Sequence, residues 1–398
     1  MLISGGRIII KNNTILTGII KLQLVLMIVY EGWYLQKYTV IPGLLQILTL
    51  TILATTAMLL LKNPECGKNN VVGYWIFFGL YSLVAALIVN ADMFYIADCL
   101  FTYFGFLAVI YCAGVVSNYT QDYGWFSKTY LLVGLLCACS ALFDGFPYRN
   151  GQYFVTTMSA NNNPNTLGLT MSIGTFVAVF PERPPRLLGW VMRTALLLAF
   201  LLVTLNTGSR SSLICELVVI ALFIYSRLKN IKGSFAERLI KNTALVLAVF
   251  VIIVIAITYF DKGGITASAI QRLVDKFNAK SFTGRTDLYD LAWKMYKENP
   301  VFGIGYNCFK TTSGYGYFTH STYMELLACT GTIGFLLFLS PVLAGTWYGL
   351  RAYKHDGGRS ATILLLMLIS GLFGIVYYNM AFMIVLYIEI SRVPKLEV

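Results

Sequence analysis

Charged residues are scarce in this 398-residue chain. They make up 12% of it, about half the share found in soluble domains, whereas hydrophobic residues make up 57%. The apolar residues also come in blocks of about 20, the length with which a helix crosses the hydrocarbon core of a bilayer. These features exclude a soluble protein and indicate one that crosses the membrane many times.

The apolar blocks predict an all-α integral membrane protein with eleven or twelve transmembrane helices. The predicted spans are 14–30, 40–61, 71–90, 94–116, 128–144, 166–180, 187–205, 211–226, 243–260 and 322–350. A last block, 361–391, is interrupted at Tyr378-Asn379 and forms either one tilted helix or two short ones. No small-residue cleavage site follows the first apolar run, so we expect it to be a retained helix.

Lys and Arg are concentrated in the loops on one side of these spans. If the N-terminus lies inside, the short outer loops carry only Lys37, Arg149 and Arg210, whereas the inner segments carry seventeen Lys and Arg, Arg359 among them. Cytoplasmic loops are the basic ones, so we predict a cytoplasmic N-terminus. The same distribution explains the net charge of +12 without a nucleic-acid partner.

One predicted outer loop, 261–321, is much longer than the others. It contains two amphipathic stretches, Ala267–Phe277 and Arg285–Glu298, and is neither rich in Pro and Ser nor highly charged. Long loops of this kind are usually functional or disordered, and we expect a helical cap on the outer face. The chain then divides into spans one to nine at 1–260, the cap, and the last spans with a cytoplasmic tail at 322–398.

The cysteines and acidic residues predict neither a metal site nor a cofactor. Six of the eight cysteines lie in or beside apolar spans, and the other two, Cys66 and Cys308, lie in loops predicted to be on opposite sides of the membrane. We therefore expect no disulfide and no zinc site. The outer loop has no closely spaced acidic pair that would indicate a divalent cation.

Histidine occurs only twice, and the two residues differ in their setting. His355 lies in a polar inner loop and is most simply a solvated residue. His320 closes the long outer loop, directly before an apolar run that begins at Ser321. Imidazole titrates near neutrality and can take a proton from a hydroxyl, so His320 is a candidate base. The alternative is that His320 and Ser321 form a helix cap.

Two arginines stand at predicted helix starts on this outer face. Arg210 lies in Gly208-Ser-Arg-Ser-Ser, with Ser209 and Ser211 on either side, and Arg285 opens the second amphipathic stretch. Backbone amides at a helix start, together with a guanidinium, favour a phosphate ligand. The alternative for each is an ordinary helix start with a surface arginine.

Other polar residues near the outer ends of the spans are candidates to line a shared cavity. They are Asp98, Glu216, Glu325 and Asn165, together with Ser209 and Ser211 beside Arg210. Carboxylates within a membrane are costly and are therefore functional candidates. Glu216 lies about 9 Å from Arg210 along its helix, too far for direct contact but near enough to share a cavity. Asn165 belongs to an Asn-rich turn, which needs no function. The polar candidates together suggest group transfer from a lipid diphosphate to an alcohol.

These residues resemble the motifs of the O-antigen ligase/polymerase family of lipid-linked glycan transferases. His320-Ser321, nine residues, Gly331, two residues and Gly334 match the family's histidine motif. Residues 208–212 resemble its helix-start motif. Gly284-Arg285, followed by Asn299-Pro300-x-x-Gly303-x-Gly305, resembles the stretch before the histidine. The resemblance covers roughly residues 200–340.

The resemblance implies a GT-C-like, metal-independent, inverting glycosyltransferase of the bacterial inner membrane, with an extracytoplasmic active site. Arg210 and Arg285 would bind the diphosphate of an undecaprenyl-diphosphate-linked glycan, and His320 would activate or position the acceptor hydroxyl. A polymerase of O-antigen or capsule would use a second lipid-linked repeat unit as acceptor, and a ligase would use lipid A-core. We prefer the polymerase. Membrane lipids, a chain-length regulator and a flippase are the further partners implied.

A flippase or other transporter of lipid-linked glycans is the alternative class. It would need charges along a path through the middle of the membrane, whereas the ionisable residues of this chain are concentrated in the outer third of the spans.

Overall fold

The computed structural model describes most of the chain as helix. The described residues are 2–4, 7–9, 14–34, 41–67, 70–89, 91–144, 148–149, 152–153, 164–181, 187–207, 209–229, 283–374 and 380–392. Their helices are α1 Thr14–Val29, α2 Leu44–Lys62, α3 Asn70–Ile88, α4 Met93–Thr120, α5 Gly124–Asp144, α6 Pro164–Val179, α7 Leu187–Thr207, α8 Arg210–Lys229, α9 Thr283–Glu298, α10 Phe309–Thr312, α11 Thr322–Arg351, α12 Tyr353–Asp356, α13 Arg359–Phe373 and α14 Met380–Arg392.

Two short helical turns and two hairpins complete the described secondary structure. A π-helical turn, Tyr30–Tyr34, continues α1, and a 3-10 turn, Pro64–Gly67, follows α2. Two antiparallel hairpins pair β1 Leu2–Ser4 with β2 Arg7–Ile9, and β3 Tyr148–Arg149 with β4 Gln152–Tyr153. The described part of the chain is therefore all-α apart from these hairpins.

The helices confirm an integral membrane protein. Seven described helices are long and apolar enough to cross a membrane, namely α1 with its π-helical turn, α2, α3, α4, α5, α7 and α11, and α6 and α13 are shorter apolar helices. The predicted block 361–391 contains two helices, α13 and α14. Predicted span 243–260 and the stretch Ala267–Phe277 lie outside the described residues, so the number of spans stays a prediction.

Large apolar side chains cover the outside of the bundle. Phe94, Leu61 and Phe101 are 92%, 86% and 77% exposed. Exposed apolar side chains are what contact with lipid requires, because the hydrocarbon core offers no water to polar groups.

The contacts of α13 define two ends of the bundle. Arg359, at the start of α13, donates a hydrogen bond to the carbonyl of Phe180, directly after α6, so these two helix termini lie together. At the other terminus of α13, the carbonyl of Gly374 accepts a hydrogen bond from the amide of Thr322, where α11 begins. We call this second end the cap end, because α9 packs there. It corresponds to the predicted outer face.

Arg359 is buried at the end opposite the cap, although its sequence setting suggested a solvated loop. Its guanidinium donates to Ser127 Oγ at 2.9 Å and forms an ion pair with Glu389 at 3.2 Å. It also lies over the ring of Phe176, at 5.0 Å from the centroid. This buried ion pair ties α13 to α14 and to α5, and it is structural in its setting.

Candidate active site

Helix α11 is interrupted at one of the glycines of the histidine motif. Gly331 has φ 64° and ψ −171°, which are not helical values, so α11 consists of a short first part and a longer second part. A Cβ atom at this position would lie 2.3 Å from the carbonyl oxygen of Val301. Only glycine fits both the left-handed backbone and the close contact.

The loop after α9 fills this interruption with backbone hydrogen bonds. The amide of Ile304 donates to the carbonyl of Ala328 at 2.9 Å, and the amide of Gly305 donates to the carbonyl of Cys329 at 3.0 Å. Gly303 makes this approach possible, because a Cβ atom there would lie 2.4 Å from the carbonyl carbon of Cys329. The Gly-x-Gly of the sequence motif thus serves to dock the loop against α11.

A tyrosine from α3 completes the same junction. The hydroxyl of Tyr81 lies 2.9 Å from the carbonyls of both Val301 and Thr330. The amide of Thr332 donates to the carbonyl of Pro300 at 2.8 Å. Polar backbone groups released by the helix break therefore have partners, as an environment without water requires.

Helix α9 corresponds to the second predicted amphipathic stretch. Leu288, Ala292 and Met295 are buried together on one face at helical spacing, and α9 packs on α11 through this face. Trp293, on another face, is 44% exposed. Arg285 lies in the first turn of α9, and it therefore lies at the cap end, where α9 packs.

His320 has a backbone conformation that residues other than glycine rarely adopt. Its φ is 59°, in the left-handed region. The amide of Thr319 donates to Glu325 Oε2 at 2.8 Å, and the hydroxyl of Thr319 donates to the carbonyl of Ser321 at 2.8 Å. Thr319, Ser321 and Glu325 are all buried. The turn around His320 is therefore held by its neighbours on both sides.

The C-terminal end of helix α13 is hydrogen-bonded to the residues that follow His320. The amide and the hydroxyl of Thr322 donate to the carbonyl of Gly374 at 3.1 and 2.8 Å. Ser321 occupies the N-cap position of α11, but its hydroxyl makes no capping hydrogen bond and lies 3.5 Å from the carbonyl of Gly371. The side chain of Ser321 therefore does not cap the helix, and the interpretation of His320-Ser321 as a capping pair loses its main support.

The imidazole of His320 is half-buried, and it lies within electrostatic range of the Arg285 guanidinium. Burial, and secondly the positive charge of Arg285, lower the pKa of His320 below its ordinary value. No hydrogen bond of the imidazole, and no ion pair of Arg285, occurs with any residue that the structure describes. A neutral imidazole of this kind can accept a proton, and a guanidinium without an internal partner can bind an anion.

The serine motif forms the capped start of α8. Ser209 Oγ accepts the amide of Ser212 at 3.4 Å and donates to Asn165 Oδ1, at the start of α6, at 2.8 Å. A Cβ atom at Gly168 would lie 2.4 Å from Ser212 Oγ, so α6 and α8 touch closely here. Since the far terminus of α6 meets Arg359, the motif lies at the cap end.

Residues 194–339, which contain these elements, match the family model described as O-antigen ligase. That match supports an O-antigen ligase or polymerase family for this chain. It confirms the resemblance of the sequence motifs and contains Arg210, Arg285 and His320. The family indicates a glycosyltransferase-like enzyme that processes lipid-linked glycans among membrane lipids. No curated protein matches the chain.

The structure brings only some of the predicted site residues of this family segment together. Arg285, His320 and Glu325 lie around the start of α11. Arg210 is the first residue of α8, at the cap end, and its side chain lies outside the described parts. The assignment of Arg210 to the diphosphate therefore stays a prediction.

The remaining candidates have other surroundings. Ser209 is buried and donates to the half-buried Asn165 where α8 contacts α6, and Ser211 is half-buried with its Oγ 3.1 Å from Ser209 Oγ. Glu216 is fully buried and accepts a 2.5 Å hydrogen bond from Thr175 of α6. Asp98 is exposed on α4. The described contacts do not join these residues to His320, and their role in lining a cavity stays a prediction.

Two residues that build the surroundings of His320 and the break of α11 were absent from the sequence candidates. Tyr81 lies within an apolar span, where no spacing marks it out. Thr319 directly precedes His320, and a search for hydroxyl residues beside the histidine would have found it. Within the described residues, no group of three or more His, Cys, Asp and Glu side chains is placed to hold a metal ion.

Proposed function

We propose that this chain is a polysaccharide polymerase. It transfers an undecaprenyl-diphosphate-linked glycan to a hydroxyl on the terminal sugar of a second lipid-linked repeat unit. The observation that carries the proposal is the pairing of His320 with Arg285, in which burial and the arginine favour the neutral imidazole. A base and an anion-binding group within electrostatic reach of each other suit a reaction between a hydroxyl and a diphosphate ester.

The reaction is a single displacement at the anomeric carbon of the donor sugar. The acceptor oxygen forms a bond to that carbon while the bond to the diphosphate oxygen breaks. The undecaprenyl diphosphate leaves with the bonding electron pair, and the acceptor proton passes to His320. Attack from the face opposite the leaving group inverts the anomeric configuration.

The arginines stabilise the charge that appears on the leaving group. Arg285 stands in the first turn of α9, where backbone amides also point outwards and favour an anion. Arg210 has the corresponding position in α8. Two guanidinium groups and two helix starts supply enough positive charge for a diphosphate, so the proposal includes no metal ion.

A second candidate is an O-antigen ligase, which would transfer finished glycan to lipid A-core. The description of the matching family model favours it. The two reactions share the donor and differ in the acceptor, so purified protein with lipid-linked repeat units alone distinguishes them. A ladder of longer products supports the polymerase. Product that appears only after lipid A-core is added would show the ligase and contradict the polymerase.

We place the site on the extracytoplasmic face of the bacterial inner membrane, with the N-terminus in the cytoplasm. Cysteine labelling tests this placement in a variant whose native cysteines are replaced by serine. A membrane-impermeant maleimide should label Thr312→Cys in intact spheroplasts and should label His355→Cys only after lysis. The reverse labelling pattern would invert the topology.

A further inference from the structure

We propose that residues 311–317, which we call the tip, bind the sugar rings of the acceptor glycan. The inference rests on the proposed transferase function and assigns the acceptor side of the same site. The tip has the sequence Thr-Thr-Ser-Gly-Tyr-Gly-Tyr and ends three residues before His320.

The residues on both sides of the tip are held in place by packing and hydrogen bonds. Phe309 is fully buried, and its amide donates to Cys329 Sγ of α11 at 3.4 Å. Lys310 Nζ lies 5.6 Å from the ring centroid of Phe318. The residue before the tip and the residue after it are therefore close together. Thr319, on the returning side, is fully buried. The residues of the tip between these points are exposed except for Ser313, which is half-buried.

Two glycines shape the tip without packing against anything. Gly314 has φ 75° and Gly316 has φ 70°, and no atom lies within 4 Å of a Cβ built on either residue. The glycines are therefore needed for the backbone turn and not for close contact. The result is that Tyr315 and Tyr317 are 53% and 65% exposed.

The side chains of the tip suit a carbohydrate. A pyranose ring has an apolar face of C–H groups and a rim of hydroxyls. Tyr offers an apolar ring and a polar hydroxyl, and it loses little conformational entropy on binding. Thr311 and Thr312 are exposed in the same segment and offer hydroxyls to the sugar rim, that of Thr311 as an acceptor because it donates to the carbonyl of Cys308 at 2.9 Å. The tip has no aliphatic side chain larger than the threonine methyl, which distinguishes it from a loop that inserts into lipid.

The position of the tip assigns it to the acceptor and not to the donor diphosphate. It leads through Phe318 and Thr319 directly to His320, the residue that acts on the acceptor hydroxyl. Arg285 belongs to a different element, α9, and supplies the anion-binding group. A sugar bound along the tip would therefore have its hydroxyls near the His320 imidazole, which is the proposed base.

Saturation-transfer NMR on the full-length protein in nanodiscs tests the proposal. The probe is the repeat-unit oligosaccharide released from its lipid carrier by mild acid, which lacks the diphosphate and the lipid. The variants are Tyr315→Ala/Tyr317→Ala and Tyr315→Phe/Tyr317→Phe. The matched control is Tyr74→Ala in α3, because Tyr74 has the same 53% exposure as Tyr315 and lies outside the tip.

We expect saturation to reach the sugar C–H protons in the wild type, the control and the Phe variant. In the Ala variant we expect binding about tenfold weaker, the effect of losing one or two aromatic contacts. Equal saturation in the Ala variant and the wild type would overturn the proposal. So would contact of the tyrosine protons with lipid headgroups instead of sugar, which would make the tip a membrane anchor. The NMR experiment measures binding of an oligosaccharide that cannot react. A loss of transferase activity would therefore be detected in a separate experiment and would not be confused with a failure of this proposal.

Discussion

Glu325 accepts the backbone amide of Thr319 at 2.8 Å, across a turn whose middle residue is His320. Glu325 is fully buried, so water does not compete for the carboxylate. The bond fixes the backbone on one side of the left-handed His320, and the described contacts give Glu325 no bond to the imidazole. Glu325 is therefore a positioning residue that acts on His320 through the main chain.

Replacement of Glu325 tests this positioning role. The side-chain oxygen of Gln can still accept the amide of Thr319, so Glu325→Gln should keep most of the transfer activity. Glu325→Ala leaves the buried amide without an acceptor, at about 1–3 kcal/mol, and transfer should fall about tenfold or more. Initial rates and their pH profiles measure both effects. Equal losses in the two variants would show that the charge matters and the positioning account is wrong.

The acid limb of the pH–rate profile should report His320. Transfer needs the neutral imidazole, so the rate should fall as pH drops through a pKa that burial and Arg285 hold below the ordinary value. Arg285→Gln removes a positive charge that disfavours the imidazolium, so the pKa rises and the acid limb moves to higher pH.

Arg285→Lys is the control for that shift, because it keeps the charge but loses the fork of donors that suits a diphosphate. It should weaken donor binding and leave the acid limb near its wild-type position. If the acid limb of Arg285→Gln stays at its wild-type pH, the charge of Arg285 does not lower the pKa of His320, and the proposed pairing is wrong.

Gly331 should tolerate no side chain. Gly331→Ala combines a left-handed backbone with a Cβ atom 2.3 Å from the carbonyl of Val301, so the loop after α9 must move. Gly357→Ala has almost the same φ, +65°, with no atom within 4 Å, and costs only the backbone strain of about 1–2 kcal/mol. Thermal unfolding in detergent should show a clearly larger loss for Gly331→Ala. Equal losses would mean that the contact with Val301 is not tight.

The buried ion pair opposite the cap should matter for stability and not for transfer. Arg359→Met leaves the buried Glu389 without the cation that balances its charge, although Ser360 Oγ still donates to it, and should cost about 3–5 kcal/mol; Arg359→Met/Glu389→Met should recover most of that loss. Lys21 and Asp122 form an exposed pair at 2.7 Å, and Lys21→Ala should cost about 0–1 kcal/mol. Unfolding temperatures compare the variants. A double variant as unstable as the single one would refute the role of the ion pair.

The membrane fold could be predicted from the sequence because hydropathy is a local signal. Each described span coincides with an apolar block, and α9 coincides with the amphipathic pattern from Arg285 to Glu298. The break of α11 at Gly331 could not be predicted from hydropathy, because an interrupted helix is as apolar as a continuous one. The burial of Arg359 depends on Glu389, which lies on another helix, and no local pattern shows that pairing.

The site could be predicted in its residue types but not in its geometry. Motif spacing indicated Arg285 and His320, and the structure places them within electrostatic reach of each other. It could not indicate that Glu325 serves the backbone of Thr319, because that bond depends on a left-handed turn at His320. The histidine–glycine spacing also acquires a physical reason, since Gly331 marks the break that receives the loop after α9.

The most direct test of the transferase account compares His320→Ala with His355→Ala, using purified protein and lipid-linked repeat units. Loss of a general base typically lowers rates by about 10²–10⁴-fold, so His320→Ala should form almost no longer glycan, while the loop variant should match the wild type. Both proteins should show the same unfolding temperature within error. Undiminished glycan transfer by a folded His320→Ala would contradict the account.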